Sequence, residues 1–177
     1  MMMRLFQSVI IFGILFSGVS IETMGQSNTL ISFSLEDQFD VHYTNAQYRG
    51  YYVILVGGDR KGSDYCFIWS DAVKEKLEND PMKKNIKVLG IADLKAAPAS
   101  FQNFIKSKFP KEKKHWALLD WDGIFSETYK FQEDVANIII FSPEGDRIYT
   151  NTATEVEYSQ LEEIVTLIHK HSKTYQQ

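Results

Sequence analysis

The chain has 177 residues, which is enough for one domain with a hydrophobic core of its own. Its formal net charge is −4, which argues against a broad nucleic-acid-binding surface. Cys66 is the only cysteine, so the chain forms no internal disulfide, no CxxC pair and no multi-cysteine metal site.

The first 25 residues predict a signal peptide. Arg4 gives the start a positive charge, residues 5–19 are largely apolar, and Ser20 and Gly25 supply small residues for cleavage. The apolar run is too short and too often interrupted for a convincing membrane span, and an uncleaved anchor is the alternative. We therefore expect a mature protein that is exported, periplasmic or extracellular, and has no stable membrane span.

The mature chain is predicted to open with two short strands, residues 30–35 and 39–44, that pair as a hairpin. Residues 51–56 then predict a buried central strand, because the run is apolar and rich in β-branched and aromatic side chains. We expect Gly57 and Gly58 to end this strand, since glycine permits the backbone angles of a tight exit.

A helix is predicted directly after the central strand. Ser63 or Asp64 is expected to cap it, since either side chain can accept a hydrogen bond from a free N–H group. An apolar stripe at helical spacing follows, formed by Cys66, Trp69, Val73 and Leu77. The free N–H groups and the dipole at a helix start favour an anion or a thiolate, so this turn is the first place to look for chemistry.

The rest of the chain alternates between predicted strands and helices. The strands are residues 86–92, 116–119, 137–141 and, after a turn, 147–152. The helices are an amphipathic one after Pro98 with Phe101, Phe104, Ile105 and Phe109, a short helix or loop at residues 125–131, and a C-terminal helix at residues 158–168. Early alternation followed by a hairpin predicts a mixed sheet with helices on both faces.

Three segments carry a family resemblance: FSLEDQF at 33–39, YYVILVGG at 51–58 and IIIFSPEGDRI at 138–148. They resemble the redoxin form of the thioredoxin fold, the group that includes peroxiredoxin-like proteins. The resemblance implies an α/β fold with a thioredoxin-like mixed central sheet, helices on both faces and an N-terminal β-hairpin extension. The implied domain spans residues 26–170, between the signal peptide at 1–25 and a polar tail at 171–177.

The resemblance implies a redox site from which two parts are missing. In an ungapped alignment with a thioredoxin, Lys61, Gly62, Ser63 and Asp64 occupy the CxxC position. Ala136 stands where the fold usually carries a proline with a cis peptide bond. These losses favour an exported thioredoxin-like protein that serves as a non-catalytic binding or accessory module. The fold by itself does not decide function.

The alternative is a thiol peroxidase or reductase with one cysteine. The peroxiredoxin motif Pro-x-x-x-Thr/Ser-x-x-Cys is matched at Ser63 and Cys66, but Asp59 stands in the proline position. Under this hypothesis Cys66 is the nucleophile, with Ser63 and Arg60 as supporting groups. The family also carries an arginine near the strand before the final hairpin, and Arg60 and Lys61 could substitute for its positive charge. The simpler interpretation of Cys66 is a small buried hydrophobic residue on the apolar stripe.

A binding module would use the surface where the redox site lies in relatives. We call this surface the redox-position face and define it by residues 58–65, 93–98 and 120–123 and the turn before Asn137. Its candidate binding residues are Asp59, Lys61, Asp64, Asp93, Asp120 and Asp122. The aspartates at strand ends could form a small polar pocket for another exported protein or a small ligand, or could serve only as caps and turn residues.

The sequence predicts neither a cofactor nor a metal. Asp120 and Asp122 precede Gly123 as in a fragment of a calcium loop, but the remaining ligands do not follow. The four histidines, at positions 42, 115, 169 and 171, lack the spacing of a metal site. No P-loop, GxGxxG, GxSxG or HExxH motif is present. The lysine-rich run at 111–114 is typical of a solvated loop and only weakly indicates anion or membrane binding.

Overall fold

The computed structural model describes residues 27–174, so the predicted signal peptide lies outside the described residues. The strands are β1 Ser34–Glu36, β2 His42–Thr44, β3 Tyr52–Gly58, β4 Ile86–Asp93, β5 Leu118–Asp120, β6 Ala136–Phe141 and β7 Arg147–Ala153. The helices are α1 Ser63–Lys76, α2 Gln102–Lys108, α3 Ile124–Tyr129 and α4 Tyr158–Thr174. Helix α4 includes the first residues of the segment 171–177. Within the described range, no helix is long and apolar enough to cross a membrane.

Five strands form a mixed sheet in the order β5-β4-β3-β6-β7. Strand β3 is parallel to β4 and antiparallel to β6, and β4 is parallel to β5. Strands β1 and β2 form a separate antiparallel hairpin. Parallel neighbours need crossover helices, and the right-handed rule places α1 and α2 on the same side of the sheet. The predicted mixed α/β architecture with its N-terminal hairpin is confirmed.

The sheet separates two hydrophobic cores, and β3 contributes to both because all seven of its residues are buried. Helices α1 and α4 pack on one face, where Trp69 and Ile168 are fully buried. Phe125 on α3 and Phe33 pack on the other face. The predicted stripe of α1 is confirmed, since its tryptophan, valine and leucine are buried and Cys66 packs against the same core.

The central strand does end with Gly57 and Gly58, its last two residues, but the predicted reason is wrong, because neither glycine has a positive φ. Gly57 still pairs with Asn137 on β6. A Cβ atom on Gly57 would lie 2.6 Å from the ring of Phe131, and one on Gly58 would lie 2.9 Å from the sulfur of Cys66. The two glycines therefore permit close approach of side chains to the strand.

The predicted cap of α1 is also wrong. The N-cap residue is Gly62, and no side chain makes a capping hydrogen bond. The Ser63 hydroxyl instead donates to the carbonyl oxygen of Arg60 at 2.8 Å, and Asp64 is exposed. Asp59 orders the turn, because its Oδ1 accepts a hydrogen bond of 2.8 Å from the N–H of Gly62.

Helix α2 does not bury the apolar face that its sequence pattern predicts. None of its seven residues is buried. Phe104 and the preceding Phe101 have exposed fractions of 58% and 54%. The helix is instead joined to the N-terminal hairpin by an ion pair between Lys106 and Asp40. Its periodicity is helical, but Phe101 and Phe104 face outward.

Candidate functional site

The turn after β3 is hydrogen-bonded to the loop before β6. The carboxylate of Asp59 bridges the two, because Oδ1 accepts from the N–H of Gly62 and Oδ2 accepts from the N–H of Asp134 at 3.1 Å. The ammonium of Lys61 lies 2.9 Å from Oδ2 of Asp134 in an exposed ion pair. Two of the predicted binding residues, Asp59 and Lys61, thus hold segments of the redox-position face together.

The backbones of this turn and this loop are in direct contact. A Cβ atom on Gly62 would lie 2.4 Å from the carbonyl oxygen of Val135 and 3.0 Å from its nitrogen. Every peptide bond in residues 27–174 is trans, including the one before Ala136. Only glycine at position 62 allows the helix start to approach the loop this closely.

Replacing Gly62 with alanine is expected to lower the free energy of unfolding by about 2 kcal/mol. Gly62 has an ordinary helical φ of −75°, so without a neighbour the change would stabilise the chain by about 0.5 kcal/mol. The clash outweighs that gain, because the atoms it meets are backbone atoms that cannot rotate away. Denaturant unfolding measures the change.

The control for this variant is Arg60→Ala, which alters an exposed residue of the same turn. Its effect is expected to stay within about 0.5 kcal/mol. A Gly62→Ala protein as stable as the native chain would show that the turn and the loop do not touch in solution.

The side chain of Asn137 holds the loop before β6 in place, and the sequence alone predicts no role for this residue. Its side chain accepts a hydrogen bond from the N–H of Gln132 at 2.7 Å and donates to the carbonyl oxygens of Gln132 and Gly57 at 3.0 and 3.2 Å. The residue is 4% exposed. A lone amide in the otherwise apolar run ANIIIF was the available signal, because buried polar groups need partners.

Cys66 lies in the first turn of helix α1, and its sulfur is beneath the chain segment that connects β3 to α1. The residue's N–H donates to the carbonyl oxygen of Gly62 at 3.0 Å, and its sulfur packs against Gly58. Burial raises the pKa of the Cys66 thiol from its usual 9.0 to about 12, and the negative charge of Asp59 acts in the same direction. The thiol is therefore held in its protonated, unreactive form at neutral pH.

A second polar group lies at the ends of β4 and β5, where Asp93 and Asp120 are paired in register. Asp120 is fully buried, and its carboxylate accepts hydrogen bonds from the N–H groups of Ile124 and Phe125 at 3.0 and 2.9 Å, which caps α3. Burial, together with the charge of Asp93, raises the pKa of Asp120. Asp93 accepts from the N–H of Lys95 at 3.2 Å. Both aspartates therefore have structural roles as cap and turn residues.

The two polar groups lie at the same edge of the sheet but are not bonded to each other. Across residues 27–174, no hydrogen bond or ion pair joins the bonded residues around Asp59 to the pair formed by Asp93 and Asp120. The ring of Phe131 covers Gly57 at the end of β3, and Asp122 is exposed. The described residues also contain no group of three metal-binding side chains. A cavity of about 430 Å³ lies elsewhere, at the far end of α1.

Comparison with known proteins bears on the fold. No protein-family model and no curated protein sequence matches the chain. Among solved structures, the pneumococcal exposed lipoprotein thioredoxin of Streptococcus pneumoniae strain TIGR4 superposes with a TM-score of 0.59 at 19% identity, covering 79% of this chain and 99% of that one. The reduced 2-Cys peroxiredoxin of Plasmodium vivax gives a TM-score of 0.58 at 17% identity, covering 82% and 96%.

A third similar structure is the thioredoxin domain of a thiol-disulfide oxidoreductase from Bacteroides vulgatus, with a TM-score of 0.55 at 16% identity over 80% of this chain and 96% of that one. At such low identities the likeness shows the fold. The chain has a thioredoxin-like fold, as its sequence predicts. It lacks the CxxC pair, because Cys66 is its single cysteine.

Proposed function

We propose that this protein is an exported, non-catalytic binding or accessory module that contacts a protein or small ligand through the redox-position face. The observation that carries the proposal is the setting of Cys66, whose sulfur is packed against Gly58 and whose thiol pKa is raised to about 12. Thiol catalysis requires the thiolate. The charge that acts on this sulfur is the carboxylate of Asp59, and Arg60 is exposed to solvent.

The shape of the face supports binding. The hydrogen bonds of Asp59 and the Lys61–Asp134 ion pair tie the turn and the loop to each other, and Asn137 ties the loop to β3. Binding residues are often carried on loops held by a rigid scaffold. Asp64 and Asp122 are exposed on such segments and are available for a partner. Export is supported by the signal-like residues 1–25 and by the exposed lipoprotein thioredoxin among the similar structures.

The proposal is tested by a peroxide-consumption assay with a thiol donor, comparing the native chain with Cys66→Ser and with an active peroxiredoxin. We expect both forms of this protein to match the blank without protein, because the thiolate is scarce near neutral pH. Turnover that disappears in Cys66→Ser would overturn the proposal and establish a one-cysteine peroxidase or reductase. In that case Arg60→Ala and Ser63→Ala would test the supporting roles.

A further inference from the structure

Helix α2 and the loop after it carry an unusual concentration of positive charge. Residues 101–116 contain five lysines and one glutamate, in a chain of net charge −4. Within the described part of the chain, Lys106 pairs with Asp40, and no carboxylate pairs with the other four lysines, which are exposed. Lys108 lies over the ring of Phe104, with its Nζ 4.9 Å from the ring centre.

The loop that carries Lys111, Lys113 and Lys114 is held in place. The buried side chain of Gln38 donates to the carbonyl oxygen of His115 at 2.9 Å and accepts from the N–H of Ala117 at 3.0 Å. The ring of His115 lies 2.9 Å from the carboxylate of Asp71 on α1. These three lysines therefore project from an anchored loop, which follows Lys108 and the exposed Phe104 on α2.

We propose that this surface binds an anionic lipid bilayer. We call it the Lys–Phe face and define it by Phe101, Phe104, Lys108, Lys111, Lys113 and Lys114. Exposed aromatic rings among lysines match a bilayer interface, where rings enter the headgroup region and each lysine near an anionic surface strengthens binding about fivefold. The net negative charge elsewhere on the chain would be repelled, so the contact is confined to this face. The binding is peripheral, because α2 has only seven residues.

A bilayer fits the face better than an acidic protein partner does. Lysines alone would suit either surface. Two phenylalanines that are more than half exposed need an apolar layer as well, and headgroups with acyl chains beneath them supply both chemistries. The Lys–Phe face adjoins the redox-position face, because the N–H of Phe101 donates to the carbonyl oxygen of Pro98 at 2.9 Å.

The test uses the full chain with a fluorophore that brightens in apolar surroundings. It is attached at Phe104→Cys in a Cys66→Ala background, which is practical because the chain has one cysteine. Vesicles of phosphatidylcholine are compared with vesicles in which about a third of the lipid is phosphatidylglycerol. We expect brightening with the anionic vesicles only, and its loss at high salt. The label reports local contact, so lipid binding by the apolar residues 5–19 does not imitate the result.

Tyr158 provides the matched control site. It is 69% exposed, and Lys76 lies 4.8 Å from its ring centre, as Lys108 does for Phe104. Lys76 is paired with Glu162, however, and further glutamates lie nearby in the sequence. A label at Tyr158→Cys is expected to stay in water. No brightening at position 104, equal brightening with phosphatidylcholine vesicles, or equal brightening at position 158 would overturn the proposal.

A second measurement leaves Cys66 and both phenylalanines intact. The triple variant Lys108→Glu, Lys111→Glu, Lys113→Glu changes only exposed side chains, so we expect it to fold. Its affinity for the anionic vesicles should fall on the order of 100-fold, and its affinity for phosphatidylcholine vesicles should not change. An unchanged affinity for the anionic vesicles would exclude the Lys–Phe face as the binding surface and would favour a protein partner for it.

Discussion

Cys66 in the folded protein is expected to react with a thiol reagent on the order of 1000-fold more slowly than the same cysteine in the unfolded chain. The reagent attacks the thiolate, and the thiol pKa rises from 9.0 to about 12 on folding, so the thiolate fraction near pH 8 falls by about three powers of ten. Packing against Gly58 restricts access to the sulfur as well. The measurement is the labelling rate of native protein against protein in guanidinium.

The pH dependence of labelling separates the two causes of slow reaction. A raised pKa predicts a native rate that continues to climb tenfold per pH unit beyond pH 9, where an ordinary thiol begins to level off. Steric shielding alone would lower the rate and leave the levelling point unchanged. An exposed cysteine at Phe104→Cys in the Cys66→Ala background provides the reference for a free thiol. Native labelling within tenfold of the unfolded rate would show that the sulfur is accessible and ionisable.

The order of strands and helices along the chain, and the mixed sheet with helices on both faces, follow from local sequence patterns. Short apolar runs bounded by turn residues predict strands, and the run that becomes β3 is apolar throughout because it is buried on both faces. The two glycines at its end could not be interpreted locally. Their role depends on Phe131 and Cys66, which occupy the space that a Cβ atom would need. The sequence shows that these positions have no side chain, and only the tertiary contacts show which atoms occupy the space.

Local sequence patterns likewise do not predict the surroundings of α2 or the bonds within the candidate site. Periodicity identifies an apolar helix face, but it does not show what covers that face, and Phe104 remains exposed. The candidate residues after β3, β4 and β5 do lie at one edge of the sheet. The bond from Asp59 to the N–H of Asp134 joins segments far apart in sequence, so no local pattern could predict it. Which of the candidate residues contact a partner stays a prediction.

Asn137→Ala is expected to lower the free energy of unfolding by about 3 kcal/mol. The variant removes one acceptor and the donors of an amide that is 4% exposed, which leaves the carbonyl oxygen of Gly57 without its side-chain donor. It also frees both backbone groups of Gln132, where the loop before β6 turns. Each unsatisfied buried polar group costs about 1–3 kcal/mol, and the exposed loop recovers part of that by binding water.

The matched control is Asn151→Ala on the edge strand β7. Asn151 also bonds through both ends of its amide, to the hydroxyl of Tyr149 and the N–H of Thr152, but it is only partly buried. Water replaces those bonds, so its loss should cost less than about 1 kcal/mol. Denaturant unfolding compares the two variants. Cys66 labelling should accelerate in Asn137→Ala and not in Asn151→Ala, because Asn137 ties to β3 the loop that packs on the turn near the sulfur. Equal costs for the two variants, with labelling unchanged, would mean that the buried amide does not hold the loop.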